Sequence, residues 1–343
     1  MILPKEYKGK IVFIVLNWEG WKDTIECLES IFQIPSLTFQ VVVVDNNSRD
    51  NSIEKIKDWA EGKMPVQSKY FTYNPDNKPI LYAEMGVQDH SAENARLILI
   101  KLPENIGFAR GNNAGIRYAL SHLKSDHIMI LNNDTVIEPD CLMQMIDVLK
   151  NDPNIGLVGP KIIDYFTGIH WQGVAYKRLS VMDNILYFTP LIKLVVKTPI
   201  GRINLVRGET PFKVYGIAGC CMLFRTKVLE EIGMFDEKTF LGWEEYIIAE
   251  KLLKKGYSTY VVPKAIILHK VARDTVKIEP VEKTIIFMKS EIYFQKEYLK
   301  WPLYKRALIK LVRLLIFIIG SLAITAYRRN LPRLIKVLFE KES

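Results

Sequence analysis

The sequence predicts an α/β fold in which a mostly parallel sheet is flanked by helices. Over the first 160 residues, short runs rich in β-branched residues alternate with segments of helical periodicity. One of these runs, residues 41–44, is apolar without alternation, which is typical of a strand covered on both faces. Strand–helix–strand repetition of this kind favours parallel pairing.

The elements follow from these patterns in chain order. Apolar side chains from Trp21 to Phe32 recur at helical spacing, and so do those from Leu142 to Leu149. A third helix is predicted from about Trp243 to Lys255, where Gly256 ends it. The predicted strands are Ile11–Asn17, Gln40–Asp45, Leu97–Leu102, His127–Asn132, Ile155–Gly159, Tyr215–Phe224, Ser258–Val262 and a run that ends at His269.

Residues 62–96 interrupt this alternation. Three prolines and two asparagines lie in the segment 65–79, which favours turns over regular structure. We therefore interpret 62–96 as an insertion with a short hairpin around Asn74–Lys78. The catalytic domain is predicted to span 1–275, and a helical C-terminal region to span 276–343.

Composition excludes several classes of protein. The chain has 343 residues, of which 49% are hydrophobic and 25% charged, so it can bury a sizeable core and is not disordered. Its four cysteines include no C-x-x-C pair, which argues against a zinc ribbon or a disulfide scaffold. The apolar run Ile11–Leu16 is too short for a signal-peptide core, so we expect no secretion by that route.

The net charge of +9 is concentrated in the tail. Nine basic and no acidic residues lie between positions 298 and 339, so the rest of the chain is neutral. This distribution argues against nucleic-acid binding and favours an anionic membrane surface as partner of a basic amphipathic tail. Two sets of basic residues at helical spacing form its polar stripes: Arg306, Lys310 and Arg313, then Arg329, Arg333 and Lys336.

The uncharged run Leu314–Tyr327 between the stripes has fourteen residues, whereas a spanning helix needs about 20. We expect peripheral or monotopic attachment at the cytoplasmic face of the cell membrane. The alternative is a C-terminal helix packed on the body with a solvated basic face.

Three predicted strands end in polar clusters: Asn17-Trp18-Glu19, Asp45-Asn46-Asn47-Ser48 and Asn132-Asn133-Asp134-Thr135. In an open parallel sheet, ligands bind beyond the carboxyl ends of the strands. Each cluster alone is common at turns, but three at one sheet edge indicate a binding site. The glycines of segment 102–115 either bring backbone close to a ligand phosphate or allow close helix packing.

Two nucleotide-binding classes lack their motifs here. The first strand is not followed by G-x-G-x-x-G, which argues against a dinucleotide-dependent dehydrogenase. No G-x-x-x-x-G-K-[ST] occurs, which argues against a P-loop enzyme.

Six motifs in order carry a resemblance to a known family. They are Asn17-Trp18, DNNSRD (45–50), ENIGFARGNN (104–113), LNNDT (131–135), GMFDE (233–237) and GWEEY (242–246). Together they resemble the family 2 nucleotide-sugar glycosyltransferases of the Rossmann-like GT-A fold, especially the rhamnosyltransferase-like branch. The resemblance covers about residues 10–275.

The resemblance implies a role for each matched residue. Asp134, at the last position of the D-x-D element, is the implied ligand of Mg²⁺ or Mn²⁺, and Asn132 stands where the family has a carboxylate. His269 matches a residue that contacts metal or diphosphate, and the catalytic base is implied at Glu245, with Glu244 as the alternative. The implied donor-binding residues are Asn17, Asp45, Asn47, Gly107, Arg110, Asn112, Asn132 and Asn133, and the implied acceptor side includes Trp243, Gly219 and Cys220.

These assignments predict an inverting glycosyltransferase, a hexosyltransferase that uses a nucleotide-diphosphate sugar. The basic tail favours a lipid-linked glycan acceptor in cell-surface polysaccharide or glycan synthesis. Two alternatives stay open at this point: a catalytically degenerate membrane-peripheral binding protein, and a sugar nucleotidyltransferase.

Overall fold

The computed structural model describes residues 7, 9–35, 38–85, 94–171, 173–187, 208–270, 279–323 and 325–339. The strands in these ranges are β1 (Ile11–Asn17), β2 (Phe39–Asp45), β3 (Tyr82–Met85), β4 (Leu97–Lys101), β5 (His127–Asn132), β6 (Thr135–Ile137), β7 (Ile155–Asp164), β8 (Val174–Ala175), β9 (Phe212–Val214), β10 (Gly216–Ile217), β11 (Cys221–Arg225) and β12 (Ser258–His269). The helices are α1 (Trp21–Phe32), α2 (Ser52–Ala60), α3 (Phe108–His122), α4 (Cys141–Asn151), α5 (Val181–Tyr187), α6 (Thr226–Glu231), α7 (Glu244–Lys254), α8 (Pro280–Glu297), α9 (Leu303–Ala323) and α10 (Thr325–Phe339).

The main sheet has the strand order β3-β4-β2-β1-β5-β11-β7-β12-β6, and β9 pairs with β12 beside this path. The first five strands of that order are parallel to one another. β11 then enters antiparallel between β5 and β7, whereas β12 returns to a parallel pairing with β7. The prediction of a mostly parallel sheet flanked by helices is confirmed.

Helices cover both faces of this sheet, and the pleat of the strands divides the core accordingly. Alternate β1 side chains such as Phe13 pack under α1, α2 and α4, and the intervening ones such as Ile14 pack under α3, α6 and α7. Every residue of β2 is buried, as its unbroken apolar run predicts. All four cysteines are free and buried.

Glycines in α3 let that helix lie directly on the parallel strands. A Cβ at Gly111 would lie 2.6 Å from Leu16 Cδ1, and one at Gly115 would lie 2.8 Å from Ile14 Cγ2. Between the two interpretations of these glycines, the structure supports close helix packing at both positions.

Three predicted elements differ from the structure. Residues 215–224 do not form one strand, because the chain turns at Gly219 and Cys220 and leaves β10 and β11 in separate sheets. The expected hairpin around Asn74–Lys78 is a 3₁₀ turn at Pro75–Asn77, which the Asn74 side chain caps by accepting from the Asp76 amide. The runs predicted as two strands at 258–269 form the single strand β12, with an irregularity between Val262 and Ile266.

The C-terminal helices α8, α9 and α10 pack together through a small apolar cluster that includes Met288, Phe317 and Leu334. The prediction that Arg313 belongs to a polar outer stripe is wrong. Its guanidinium is buried, and Nη2 lies 2.8 Å from Glu291 Oε1 on α8. On α10, in contrast, Arg333 and Lys336 are exposed. None of the described helices is long and apolar enough to cross a membrane.

We expect Gly115→Val to lower the free energy of unfolding by about 2 kcal/mol, since buried methyl groups of Ile14 and Val44 occupy the space that it needs. The melting temperature should fall by about 4–8 °C in a thermal unfolding assay. Ser121→Val, at an exposed position of the same helix, is the matched control. Equal melting temperatures of the two variants would contradict the packing role of Gly115.

Candidate active site

A cavity of about 470 Å³ opens at the carboxyl ends of the central strands. Its walls come from the ends of β1, β5 and β12, the turn between β10 and β11, the segments that precede α3 and α7, and one side chain of α8. Nine residues predicted from sequence line it: Gly107, Asn132, Asn133, Asp134, Gly219, Cys220, Glu244, Glu245 and His269. A single site therefore collects residues that are up to about 160 positions apart in the chain.

The polar clusters meet because the parallel strands are in register. Asn17 lies opposite Asp45, and Leu16 lies opposite Asn132. The three loops that leave these strands consequently start at the same level of the sheet edge.

A buried hydrogen-bond network ties these loops together beneath the cavity. Asn17 Nδ2 donates to Asp45 Oδ1 at 2.6 Å and to Ser48 Oγ at 3.1 Å. Asn17 Oδ1 accepts from Thr24 Oγ1 at 2.7 Å, and the same hydroxyl accepts from Asn133 Nδ2 at 2.9 Å. Asn17 and Asp45 are almost fully buried and do not line the cavity, so in this structure they hold the loops in place.

Asp134 and His269 lie next to each other on one wall of the cavity. The β6–β12 pairing sets Thr135 opposite His269, which brings the neighbouring Asp134 to that imidazole. Asp134 Oδ1 lies 3.2 Å from His269 Nε2. The imidazole also meets the Trp171 ring edge-on, with ring centroids 5.8 Å apart. A carboxylate and an imidazole nitrogen thus converge on one point of the wall.

Glu244 and Glu245 begin α7 on another wall. Glu244 is buried, and burial, followed by the charge of Glu245, raises the pKa of Glu244 to about 8. Glu244 Oε1 has no hydrogen-bond partner among the described residues. Glu245 is half-buried, and burial raises the pKa of this carboxyl as well. A carboxylate with a raised pKa is a stronger base than an ordinary surface carboxylate.

Helix α8 holds the segment that leads into this acidic pair. Phe287 lines the cavity and lies so close to Gly242 that a Cβ there would be 2.8 Å from its ring. Ser290 Oγ donates to the Leu241 carbonyl at 3.0 Å. Trp243 stacks on Phe294, with centroids 5.4 Å apart, and therefore lies outside the cavity.

The loop before α3 is locked to the same segment. The Phe108 amide donates to the Phe240 carbonyl at 2.8 Å, so the first turn of α3 is linked to the chain that precedes α7. Gly107 has a φ of +86°, and a Cβ there would lie 2.5 Å from the Phe240 carbonyl oxygen. Only glycine satisfies both conditions at this position.

Besides Asn17 and Asp45, three further predicted donor-binding residues lie outside the cavity lining. Arg110 Nε donates to the Glu237 carbonyl at 3.1 Å from an exposed position on α3. Asn112 is buried and donates to the Phe108 carbonyl. Asn47 has a φ of +62° in the turn after β2.

Comparison with known proteins decides the family. Residues 9–284, about four-fifths of the chain, match the family described as Glycosyltransferase like family 2. The chain belongs to glycosyltransferase family 2.

Curated relatives of this family 2 domain include two transferases and a synthase. It is 24% identical over 192 residues to dTDP-rhamnosyl transferase RfbF of Shigella flexneri, covering 56% of this chain and 58% of that protein. It is 26% identical over 141 residues to the low-salt glycan biosynthesis hexosyltransferase Agl10 of Haloferax volcanii, covering 41% of each. A third match, at 26% over 228 residues, is poly-beta-1,6-N-acetyl-D-glucosamine synthase of Staphylococcus aureus, covering 63% of this chain and 46% of that protein. The matched regions span about half the length of these relatives.

Solved structures show the same fold. The mannosyltransferase PcManGT of Pyrobaculum calidifontis, in complex with GDP-Man and Mn²⁺, aligns with a TM-score of 0.55 at 17% identity, covering 98% of this chain and 89% of that one. GalNAc-T7 with UDP, GalNAc and Mn²⁺ aligns with a TM-score of 0.50 at 15% identity, covering 77% of this chain and 44% of that one. The predicted GT-A type of fold is thereby confirmed for the family 2 domain.

Several residues that line the site of this family 2 domain were not predicted from sequence. Asn46 and Asn105 lie inside recognised motifs and hydrogen-bond each other at 2.8 Å, so the motifs could have indicated them. Asp23 and Phe240 are nearest to the motifs Asn17-Trp18 and GWEEY without being part of them. Phe287 lies on α8, beyond every motif, and no sequence signal points to it.

We expect Glu244→Gln to stabilise the family 2 domain increasingly as pH rises from about 5 to 8. The raised pKa means that the folded protein keeps a proton that the unfolded chain releases above pH 4.5, so the parent loses stability over this interval. The difference in free energy of unfolding should grow by at most about 1.4 kcal/mol per pH unit in urea titrations. Glu230→Gln, at an exposed carboxylate, is the control, and a pH-independent difference for Glu244→Gln would refute the assignment.

Proposed function

We propose that the protein is an inverting glycosyltransferase, which moves a sugar from a nucleotide-diphosphate donor to a hydroxyl of a glycan acceptor in a single displacement. The observation that carries the proposal is the cavity in which Asp134 and His269 form one wall and Glu244 and Glu245 another. A leaving diphosphate needs positive charge and an attacking hydroxyl needs a base, and the two walls of this one cavity are suited to these two tasks.

Glu245 is the proposed base. The acceptor hydroxyl must lose its proton as it attacks the anomeric carbon, and the half-buried Glu245 carboxylate, with its raised pKa, is suited to take it. Glu244 is more deeply buried, and its pKa of about 8 means that it carries a proton at neutral pH. We infer that the protonated Glu244 keeps a second negative charge away from the base.

The donor is proposed to lie along the ends of β1, β2 and β5. Asn132, Asn133 and Gly107 line this part of the cavity. Asp45 and Asn17 would reach the nucleotide only after their mutual hydrogen bond opens, and Arg110 and Asn112 only after a movement of the α3 start. Asn47 lies in the adjoining turn. Two structures with a similar fold, which hold UDP or GDP-Man, support this donor class.

Asp134 and His269 are the proposed holders of Mg²⁺ or Mn²⁺. Among the described residues no three His, Cys, Asp or Glu side chains are grouped as a protein-only metal site requires. One carboxylate and one imidazole nitrogen, 3.2 Å apart, nevertheless fit a cation that takes its other ligands from substrate phosphates. When bound, the cation would neutralise charge on the departing diphosphate. Both neighbouring structures named above contain Mn²⁺.

The proposed acceptor is a lipid-linked glycan used in cell-surface polysaccharide or glycan synthesis, reached from the cytoplasmic face of the membrane. Gly219 and Cys220 line the cavity on the acceptor side, and Trp243 supports that side from behind. Residues 276–343 are proposed to attach the protein to an anionic membrane surface. The basic tail and relatives named for polysaccharide and glycan synthesis support this proposal.

One feature favours a second candidate, a binding protein that has lost catalysis. Asn132 stands where the family's D-x-D element has its first carboxylate, which leaves Asp134 as the sole acid of that element. Donor turnover would exclude this candidate.

We expect one of UDP, dTDP, GDP and CDP to raise the melting temperature by several degrees with Mn²⁺ present and less without it. A ligand at about 100 times its Kd adds about 2.7 kcal/mol to the free energy of unfolding. Asp134→Ala should remove the Mn²⁺-dependent part of the shift. Asp147→Ala, at an exposed aspartate of α4, should keep it. Flat curves for all four nucleotides would reject the donor site and with it the proposed function.

We expect Glu245→Gln to reduce sugar transfer by at least about a hundredfold, because the variant keeps the shape of the side chain and removes the base. The melting experiment identifies the nucleotide of the donor. The assay then uses labelled sugar donors that carry this nucleotide and measures transfer of the label to a lipid extract of the source cells. The nucleotide-induced melting shift should be unchanged. If Glu244→Gln abolishes transfer and Glu245→Gln does not, the two roles are exchanged and the assignment of the base to Glu245 is wrong.

A further inference from the structure

One face of α9 carries a continuous apolar stripe on the outside of the protein. We define the α9 stripe as Tyr304, Leu308, Leu311, Leu315 and Ile319, whose exposed fractions lie between 47% and 71%. Their spacing of three and four residues places them along a single side of the helix. Over 21 residues the helix is about 31 Å long, so the stripe runs for most of that length.

The opposite face of α9 is already occupied, which fixes the direction of the stripe. Ile309 and Phe317 are buried, the latter in the cluster shared with α8 and α10. Arg313 Nη2 donates to Glu291 Oε1 at 2.8 Å and to the Asn184 carbonyl at 3.3 Å. Rotation of α9 to bury the stripe would pull this buried charge away from its partner, and breaking a buried ion pair in this way is strongly destabilising.

The C-terminal segment that contains the stripe is basic, and aromatic side chains lie at one end of the stripe. No acidic residue occurs from position 298 to 339, and Arg329, Arg333 and Lys336 on the neighbouring α10 are exposed. Tyr304, with Trp301 just before it, lies at one end of the stripe, and such amphipathic rings favour the headgroup level of a membrane. An exposed apolar helix face in a segment of net positive charge is complementary to acyl chains below anionic headgroups.

We propose that the α9 stripe lies in the boundary between headgroups and acyl chains of a lipid bilayer, with the helix along the membrane surface. This inference rests on the membrane partner of the proposed function and changes its physical basis. The sequence predicts that a basic stripe through Arg313 makes the contact, whereas the structure turns Arg313 inward and presents leucines instead. Apolar insertion holds the protein, and the basic residues of α10 only add to it.

The position of α8 explains why such a contact would serve the active site. Met288 of α8 belongs to the cluster that packs against α9 and α10, while Phe287 lines the cavity. If α9 lies on the membrane, only α8 separates the cavity from the lipid surface. The proposed lipid-linked acceptor would be presented at that surface.

The test is flotation of the full-length protein with vesicles of phosphatidylcholine, pure or mixed with phosphatidylglycerol. We expect the protein to bind both kinds of vesicle, and to bind those with phosphatidylglycerol more strongly. Binding should persist at about 1 M NaCl, because salt at this concentration screens charges beyond about 3 Å but does not weaken apolar insertion. Leu315→Glu should lower the bound-to-free ratio by about tenfold or more. Leu253→Glu on α7, a leucine of similar exposure (46% against 50%), should leave it unchanged.

Several results would overturn the inference. Absence of binding by the parent protein, complete release by salt, or equal binding of Leu315→Glu and the parent would each exclude insertion of the stripe. A change from dimer to monomer in Leu315→Glu, measured by light scattering, would assign the stripe to a second copy of the chain. A large drop in its melting temperature would show that the stripe is packed within the protein and is not a free surface.

The nucleotide-induced melting shift, measured on the same preparations without lipid, separates the two proposals. Vesicle binding that fails while the nucleotide shift persists would remove this inference alone. A nucleotide shift that fails while vesicle binding persists would remove the proposed transferase function and leave the docking surface intact.

Discussion

The in-register alignment of β1, β2 and β5 is the constraint on which the rest of the site depends. Their loops start at one level, and the buried amide of Asn17 then binds the Asp45 carboxylate and the Thr24 hydroxyl together. A slip of one residue would turn these polar side chains to the other face of the sheet. The network would also leave buried polar groups unpaired, each at a cost of about 1–3 kcal/mol. The arrangement of Asn133 and Asp134 at the cavity wall follows from this alignment.

A second constraint acts from the opposite side, through α8. The Asp236 carboxylate accepts hydrogen bonds from Tyr293 at 2.7 Å and from Tyr298 at 2.5 Å, and these bonds help hold its pKa below the usual range although burial opposes them. Together with the bond from Ser290 to the Leu241 carbonyl, these hydrogen bonds hold the chain between β11 and α7 at two residues. The acidic pair at the start of α7 is therefore positioned by a helix that follows it by some forty residues.

Local patterns were sufficient to predict most of the central sheet, whereas the nine predicted residues that line the cavity were indicated by the family resemblance. The unbroken valine run of β2 and the polar strand ends depend on burial and on parallel topology, and both leave a clear mark in sequence. The direction of Arg313 was not predictable in this way, because helical spacing groups residues on one face without showing which face packs. Glu291, its partner, lies 22 positions earlier on a helix whose own pattern is weak. Phe287 was missed for the same reason, since its role exists only through contact with Gly242.

Helix α8 contacts both the cavity segment before α7 and the tail helices α9 and α10, which limits how this protein can be recombined with its relatives. A chimera joined at residue 275 would separate Phe287 and Ser290 from Gly242 and Leu241, which they contact. A chimera that exchanges everything after β12 would thus import a foreign cavity wall together with the foreign tail. Chimeras that exchange only α9 and α10, with Glu291 and Met288 matched to the incoming helices, would keep the native wall and alter the outer layer alone.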